Sequence, residues 1–454
     1  LVHALAILAL GFAGWGASKQ TQYSTESMME GRSALRARSI DSAIGASGLQ
    51  TFSCDNLVIG AGPAGTSCAH WLARQGQDVL LVDQCAFPRH KVCGDGLIPD
   101  ALAALARLGL LDEVLAKAHL VDHVRCVAPS SRAVEISAPM AVISRYCLDE
   151  ILLKAALAQG ASFKSNMHFE RLSRESEPAG QVNGAWFRKL GEAVFVGARR
   201  VVLATGASAA ALGAAGVSHR RAPSAMALRT IIRHPDLRGQ ISGLQVIWHR
   251  ALSPGYAWIF PMSEHCYNMG IGVFDVAEAW PQHKLNLRSL YERFVAVNPL
   301  AGRLHNEGET ILALKGAPLR SGLVGAKPWQ EGLIICGEAI GSTYGLTGEG
   351  IGKAMETGIM AAESMLSSDA AQGLANAQTG PMYESSLQGL RARYAQYEKA
   401  NRINRQPWLA ELLIQWAARS ERLRDWACDV LNEKRSPEDL VTVSGLMRLL
   451  LQKS

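Results

Sequence analysis

Paired cysteines are missing from this 454-residue chain. Its nine cysteines stand singly at positions 54, 68, 85, 93, 126, 147, 266, 336 and 428, with no CxxC among them. An odd, scattered set excludes a disulfide framework and a structural zinc site, and no metal site is expected. The same pattern points to a reducing, cytoplasmic compartment. Charge of one sign is also scarce: 46 Lys and Arg face 40 Asp and Glu, a net +6. The one local excess noted lies in residues 391–454, with twelve basic and eight acidic side chains. That mixture excludes a nucleic-acid footprint, which needs a basic stripe interleaved with aromatics. A solvated helix face is its first reading, and an anionic membrane surface or a diphosphate group the second. Internal repeats are absent. What is abundant is apolar: 48% hydrophobic against 19% charged residues excludes a disordered or fibrous chain. At ~150 residues per domain the length makes about three domain-sized units.

Long apolar runs are few, and the one that stands out is Leu1 to Ala17. It reaches only the low end of the ~17–25 residues that span a bilayer. It also lacks the basic start of a signal peptide, with only His3 ahead of the apolar stretch. Three readings compete: a membrane anchor, a cleaved targeting segment, and an over-extended reading frame ahead of Met28 and Met29. The last is preferred. Residues 18–50 are rich in Ser, Ala and Gly and read as a linker.

Near Cys54 the pattern changes. Asn56 to Ile59 is a short apolar strand, followed at once by Gly60-Ala-Gly62-Pro-Ala-Gly65, a helical stretch from Thr66 to Gln75, and a second strand from Asp78 to Asp83. This is a βαβ unit with a complete dinucleotide fingerprint. Gly60 permits the tight turn, Gly62 lets backbone amides approach a pyrophosphate, and Gly65 lets helix pack on strand. The helix N-terminus adds partial positive charge. Asp83, 18 residues after Gly65, is placed to accept hydrogen bonds from ribose hydroxyls. Val201–Gly206 and Gly332–Gly337 are two more strands that end in small-residue turns. The latter runs into Thr347-Gly-Glu-Gly350 and a helix from Ile351 to Met365. With no second GxGxxG, a separate nicotinamide domain is not expected, and a single dinucleotide is held permanently. Residues 226–233, 243–249, 256–261 and 266–274 are short β-rich runs that read as an antiparallel sheet. After about 370 the chain turns helical, with Leu409, Leu412, Leu413, Trp416, Leu423, Trp426 and Val430 at helical spacing. Packing on the body is the first reading of that stripe and a membrane-facing helix the second.

In this order the elements resemble the superfamily of FAD-dependent oxidoreductases that holds aromatic hydroxylases, flavin halogenases and geranylgeranyl reductases. The resemblance covers roughly residues 54–400. Gly337-Glu338 stands where those proteins carry a Gly-Asp motif at the ribityl region. Thr347-Gly348-Glu-Gly350 resembles the loop whose amides stabilise charge at the flavin pyrimidine edge. Arg145 resembles the basic residue that meets the cofactor's phosphate–ribose portion. Phe87 to Pro99, with Cys93-Gly94-Asp95-Gly96, is similar to the geranylgeranyl reductase segment beside the isoalloxazine ring, where two glycines admit a flat ring. Tyr256-Ala-Trp258-Ile-Phe260-Pro261 is similar to that family's YxWxFP signature, associated with a prenyl pocket. Halogenation is disfavoured, because Asp122 to Ser137 has no Lys where halogenases place one.

The resemblance implies an α/β fold: a Rossmann-type FAD-binding domain, an inserted antiparallel β-sheet substrate domain, and a C-terminal helical region. The expected boundaries are 1–50 for the apolar segment and linker, 51–215 and 325–370 for the two parts of the FAD domain, 216–324 for the substrate sheet, and 371–454 for the helices. The implied activity is reduction of carbon–carbon double bonds in an isoprenoid substrate by hydride from reduced FAD. NADPH or another electron donor would bind transiently. Cys93 and Tyr256 are the candidate proton donors, and Tyr256, Trp258 and Phe260 line the pocket. A single-component FAD monooxygenase, acting on an aromatic or protein-bound side chain, is the alternative. A flavoprotein that only passes electrons ranks third. A lipid-like substrate and peripheral membrane association are the expected partnerships.

Overall fold

A computed structural model describes residues 42–44 and 49–440, apart from 177–179, 219–221, 275–285, 325–326 and 371–377, together with Thr442 and Gly445. The apolar run at 1–17 and most of the expected linker lie outside these residues.

In chain order the strands are β1 (Ser42–Ile44), β2 (Gln50–Ile59), β3 (Val79–Val82), β4 (Gly96–Leu97), β5 (His119–Val127), β6 (Ala133–Val142), β7 (Ser162–Lys164), β8 (His168–Arg174) and β9 (Val182–Lys189). They continue with β10 (Glu192–Leu203), β11 (Ala225–Arg233), β12 (Leu244–Ile247), β13 (Gly255–Pro261), β14 (Cys266–Phe274), β15 (Glu309–Leu319), β16 (Trp329–Gln330) and β17 (Leu333–Ile335). The helices of two turns or more are α1 (Pro63–Arg74), α2 (Pro99–Leu108), α3 (Arg145–Ala158), α4 (Leu287–Val297), α5 (Pro299–Glu307), α6 (Ile351–Ala370), α7 (Thr379–Ala400), α8 (Pro407–Arg419) and α9 (Glu421–Leu431).

The first sheet runs β16-β17-β10-β2-β3-β7, with β17, β10, β2, β3 and β7 parallel to one another and β16, β9 and β1 pairing antiparallel on β17, β10 and β2. Its central strands are apolar without alternation: Leu57 to Ile59, Val79 to Val82 and Val201 to Leu203 are all buried. Strands covered on both faces require that pattern, and the fingerprint turn follows β2 at the carboxyl edge where ligands bind.

The second sheet runs β15-β11-β14-β13-β12-β5-β6-β4, antiparallel except where β12 meets β5. β11 to β14 fall on the four β-rich runs read from the sequence. Strands β4, β5 and β6 join them from residues 96–142, inside the span assigned above to the FAD domain. The second sheet is therefore built from two separated stretches of chain, sewn together by the β5–β12 pairing. Alternation on β13 sorts its side chains. Ala257 and Ile259 face a core with Leu290, Tyr291 and Phe294 of α4, while Tyr256 and Trp258 cluster with Phe274 on the other face.

The C-terminal helices lie on β6, and Glu411 of α8 accepts from the amide of Ser130, in the turn before β6, at 2.9 Å and from its hydroxyl at 2.7 Å. No described helix is long and apolar enough to cross a membrane. All nine cysteines are free thiols.

Candidate functional site

The turn after β2 is shaped by contacts that only glycine allows. At Gly60, φ is +106°, and a Cβ would lie 2.4 Å from the Ala204 carbonyl oxygen; at Gly65 a Cβ would lie 1.8 Å from the Gly60 carbonyl oxygen. Gly62 is different. Its backbone is ordinary, and a Cβ there would meet only guanidinium nitrogens, Arg89 at 3.8 Å and Arg145 at 3.9 Å. The space above Gly62 is kept open beside two cations. The N-terminus of α1 points there with no side-chain cap and no acid in its first turn, so its amides are free to bind an anion. Asp83 accepts from the amides of Ala61 and Cys85, each at 2.8 Å, and so fastens the turn to the end of β3.

Arg145 opens α3, and its guanidinium grips Asp149 one turn on, at 2.6 and 2.7 Å. Arg89 reaches the same carboxylate at 3.2 Å. Burial acts to lower the Arg145 pKa, but Asp149 outweighs it and keeps the guanidinium charged. Two cations held by one buried acid face the open space above Gly62. Sequence reasoning named Arg145 but missed Arg89 and Asp149, although the i, i+4 spacing of Arg145 and Asp149 was visible.

The Cys93–Gly96 segment is held by a second clamp. Arg229 donates to the carbonyls of Cys93 at 3.1 Å and Lys91 at 2.9 Å. Asn268 donates to the Cys93 carbonyl at 2.9 Å and to Asp95 at 2.8 Å, and receives the Trp258 indole N–H at 2.9 Å. Asp95 sits in the left-handed region with φ 63° and is fully buried. Burial pushes its carboxyl up to about 6, against the pull of Arg229 and Arg145. Neither Arg229 nor Asn268 was named from the sequence, since nothing local ties them to residues more than 130 positions away. The Cys93 side chain is half-buried against the core of α2 and α3. Phe260 supplies a flat ring beside Gly94 and Gly96: its Cε2 lies 3.3 Å from where each Cβ would stand.

Tyr256 donates its hydroxyl proton to the Thr347 carbonyl, and its ring stacks on Phe274 at 5.5 Å. Burial, with Glu349 nearby, raises the Tyr256 pKa. Through this bond Tyr256 braces the Thr347–Gly350 loop. Gly348, with φ 70°, lies under that hydroxyl. The Gly337 amide donates to Thr357 of α6 at 2.9 Å. Glu338 accepts from the Arg320 amide at 3.4 Å and the Thr343 hydroxyl at 3.2 Å. A Cβ on Gly350 would lie 2.7 Å from the Thr343 hydroxyl oxygen.

One cavity of about 830 Å³ joins these parts. It runs from the fingerprint turn and Asp83, past Cys93, Trp258, Tyr256 and Gly348, to an apolar tail. Ile136 and Met140 of β6 form one side of that tail, and Ile414, Ala417, Leu423 and Val430 of α8 and α9 form the other.

Residues 53–284 match the FAD binding domain family. The chain belongs to that family. It is an FAD-dependent oxidoreductase. Its relatives include the menaquinone reductase of Mycobacterium tuberculosis H37Rv, 30% identical over 347 residues that cover 70% of this chain and 78% of that protein. The digeranylgeranylglycerophospholipid reductase of Methanocaldococcus jannaschii is 25% identical over 68% of this chain and 76% of that one. Among solved structures, a geranylgeranyl bacteriochlorophyll reductase-like protein of Thermoplasma acidophilum superposes with a TM-score of 0.69 at 20% identity, covering 89% of this chain and 97% of that one. A flavin-dependent brominase superposes at 0.67 with 19% identity, covering 86% and 97%. At that identity the structural matches speak for the fold alone.

The FAD-binding family's cofactor fits the residues present. The uncapped α1 terminus and the open space at Gly62 suit a pyrophosphate, with Arg89 and Arg145 opposite. Asp83 lines the same cleft and retains acceptor capacity for a ribose. The Thr347–Gly350 backbone and the Cys93–Gly96 segment face the stretch of cavity that leads on to the apolar tail.

Proposed function

We propose that this FAD-dependent oxidoreductase hydrogenates an isolated carbon–carbon double bond in an isoprenoid-type chain, such as a quinone tail or a polar lipid. The observation that carries this reading is the continuity of the cavity. A cleft built for a dinucleotide opens directly into an apolar tail, with Trp258 and Phe260 at the junction. An unpolarised alkene offers little for a protein to grip chemically, so holding the chain in line and excluding water supply most of the catalysis. The tail does both. The names of the mycobacterial and archaeal relatives support the same reading. When bound and reduced by NADPH or another two-electron donor, FAD supplies the hydride.

The chain is also read as working at a lipid surface. Trp408 at the head of α8 is 59% exposed, and the same helix presents Ala410, Ile414 and Ala417 to the tail. One helix would thus touch lipid on one face and its extracted chain on the other.

Mass spectrometry of isoprenoid lipids and quinones, from a host with and without this chain, tests the function. A gain of hydrogen pairs in one lipid class is the expected result. A gain of oxygen instead would establish the monooxygenase alternative.

A further inference from the structure

Saturating an alkene consumes one proton for each hydride, and the acid that provides it must border the cavity. Among the four described carboxyls that line the cavity, three are already engaged. Asp83 accepts two amides, Asp95 is clamped by Asn268 between Arg229 and Arg145, and Glu338 accepts from Arg320 and Thr343. The Tyr256 hydroxyl donates its hydrogen bond to the Thr347 carbonyl. Glu349 remains. It is half-buried, lines the cavity beside Gly348, and lies close enough to Tyr256 to raise that residue's pKa.

Tyr344, whose amide donates to the Glu349 carbonyl at 2.9 Å, ties Glu349 to a buried ionic cluster. Lys353 of α6 contacts Glu433 at 2.7 Å, Glu356 at 2.7 Å and Asp100 of α2 at 3.7 Å. Glu433 also accepts from Tyr344 at 2.7 Å and Arg393 of α7 at 2.6 Å. Tyr394 and Tyr397 of α7 close the cluster, and both hydroxyls are pushed upward, first by burial. Asp100 is the anomaly. Its side chain is 4% exposed, and neither carboxyl oxygen has a hydrogen-bond partner. It lies against the first turn of α6, where a Cβ on Gly352 would come within 2.3 Å of it. A carboxyl at such depth, with Lys353 at 3.7 Å and no hydrogen bond of its own, is suited to taking up a proton.

We propose that Glu349 is the acid that releases the reaction's proton into the cavity, a role that rests on the reductase reading, and that the Asp100–Lys353–Glu433 cluster reloads it from solvent. Burial, then Asp100 and Glu433, hold Glu349 well above the ordinary carboxylate range, with Lys353 opposing. Burial pushes Asp100 up to about 7 even against Lys353. The cluster's outer edge is wet: the side chains of Glu433, Glu356 and Arg393 are 16%, 24% and 36% exposed. In the step, the alkene π bond breaks. One carbon takes the hydride with its two electrons from the reduced cofactor, and the other forms a C–H bond to the Glu349 proton. Glu349 is left a carboxylate until water, through the cluster, returns the proton. A donor of the nicotinamide class restores the two electrons.

The test compares wild-type holoenzyme with Glu349→Gln and Asp100→Asn. Infrared difference spectra across pH 4 to 9 should show a protonated carboxyl band at neutral pH that is lost in E349Q and kept in D100N. Single-turnover hydrogenation should fall by ~100-fold or more in E349Q, the usual size of a general-acid contribution, with flavin content and its reduction unchanged. The wild-type rate should decline as pH rises through the Glu349 pKa, and E349Q should lose that limb. A band lost in D100N and not in E349Q, or an E349Q rate within a few-fold of wild type, overturns the proposal while leaving the reductase reading intact. If wild-type enzyme hydrogenates no isoprenoid, the reductase reading falls, and the donor role with it, whatever the infrared band shows.

Discussion

Gly60, Gly62 and Gly65 are alike in the sequence but answer to different neighbours. A methyl at Gly60 or Gly65 strikes a backbone carbonyl, whereas one at Gly62 meets two guanidiniums at ordinary contact distance. Gly62→Ala is therefore expected to fold with a melting temperature near wild type in the absence of flavin. Its FAD affinity should drop about tenfold or more, because the methyl occupies space needed by the pyrophosphate. Gly65→Ala should instead lose stability outright; apoprotein melts and flavin titration separate the two. Asp95 makes a pH prediction. Its carboxyl is pushed up to about 6 in the folded chain from an unfolded value of 3.8. Between those values the native state binds more protons than the unfolded one, so this group's contribution to stability falls as pH rises from about 4 to about 6. Asp95→Asn keeps a residue that tolerates positive φ but removes the titration. Denaturation at pH 4, 5, 6 and 7 should show wild type losing stability relative to D95N as pH rises, by at most ~3 kcal/mol.

Helix α6 joins the cofactor loop to the C-terminal helices through Lys353, whose side chain is 2% exposed. Replacing it with Met strands Asp100, Glu356 and Glu433 without their shared cation. Lys353→Met should cost roughly 3 kcal/mol at neutral pH, as removal of one partner from a buried ion pair does. The loss should shrink at pH 5, where the stranded carboxyls take up protons; urea melts at the two pH values check the sign. On α8, Ala417→Leu extends a side chain into the tail, and should raise KM for long isoprenoid chains by about tenfold while leaving short ones and flavin content nearly unchanged. How much of this the sequence disclosed follows its range of interaction. The fingerprint turn was legible because six consecutive residues carry it. The four β-rich runs of the second sheet were legible from composition. The β5–β12 pairing was not, because it joins Val124 to Leu244 across 120 residues that include β7 to β10 of the other sheet. Nor was the Lys353 cluster, whose members lie on α2, α6, α7 and just past the end of α9. The apolar stripe at 409–430 was read for its periodicity, yet only packing sorts it. Leu423, Trp426 and Val430 turn inward, and Trp408, which that stripe did not include, is the ring left outside.

At the scale of the whole molecule, the cavity's two ends answer to different solvents. The dinucleotide end is polar and flanked by Arg89, Arg145 and Lys91, whereas the other ends beneath α8 and α9 in aliphatic side chains. On the proposed reading, a substrate whose chain fills that tail has little reason to enter water, and its delivery is expected from a lipid surface. The exposed Trp408 adjoins exposed Arg405 and Arg402, an arrangement in which an indole seats at the headgroup level while cations meet anionic lipid. Binding should thus need both terms. Flotation with vesicles containing anionic phospholipid should recover the protein at low salt and release much of it at high salt, since each basic side chain contributes about 1 kcal/mol near such a surface. Trp408→Ser should weaken flotation by several-fold without changing flavin content, and should slow turnover of vesicle-borne substrate more than of detergent-solubilised substrate. Equal loss on both would mean that Trp408 serves the fold of α8 rather than its contact with lipid.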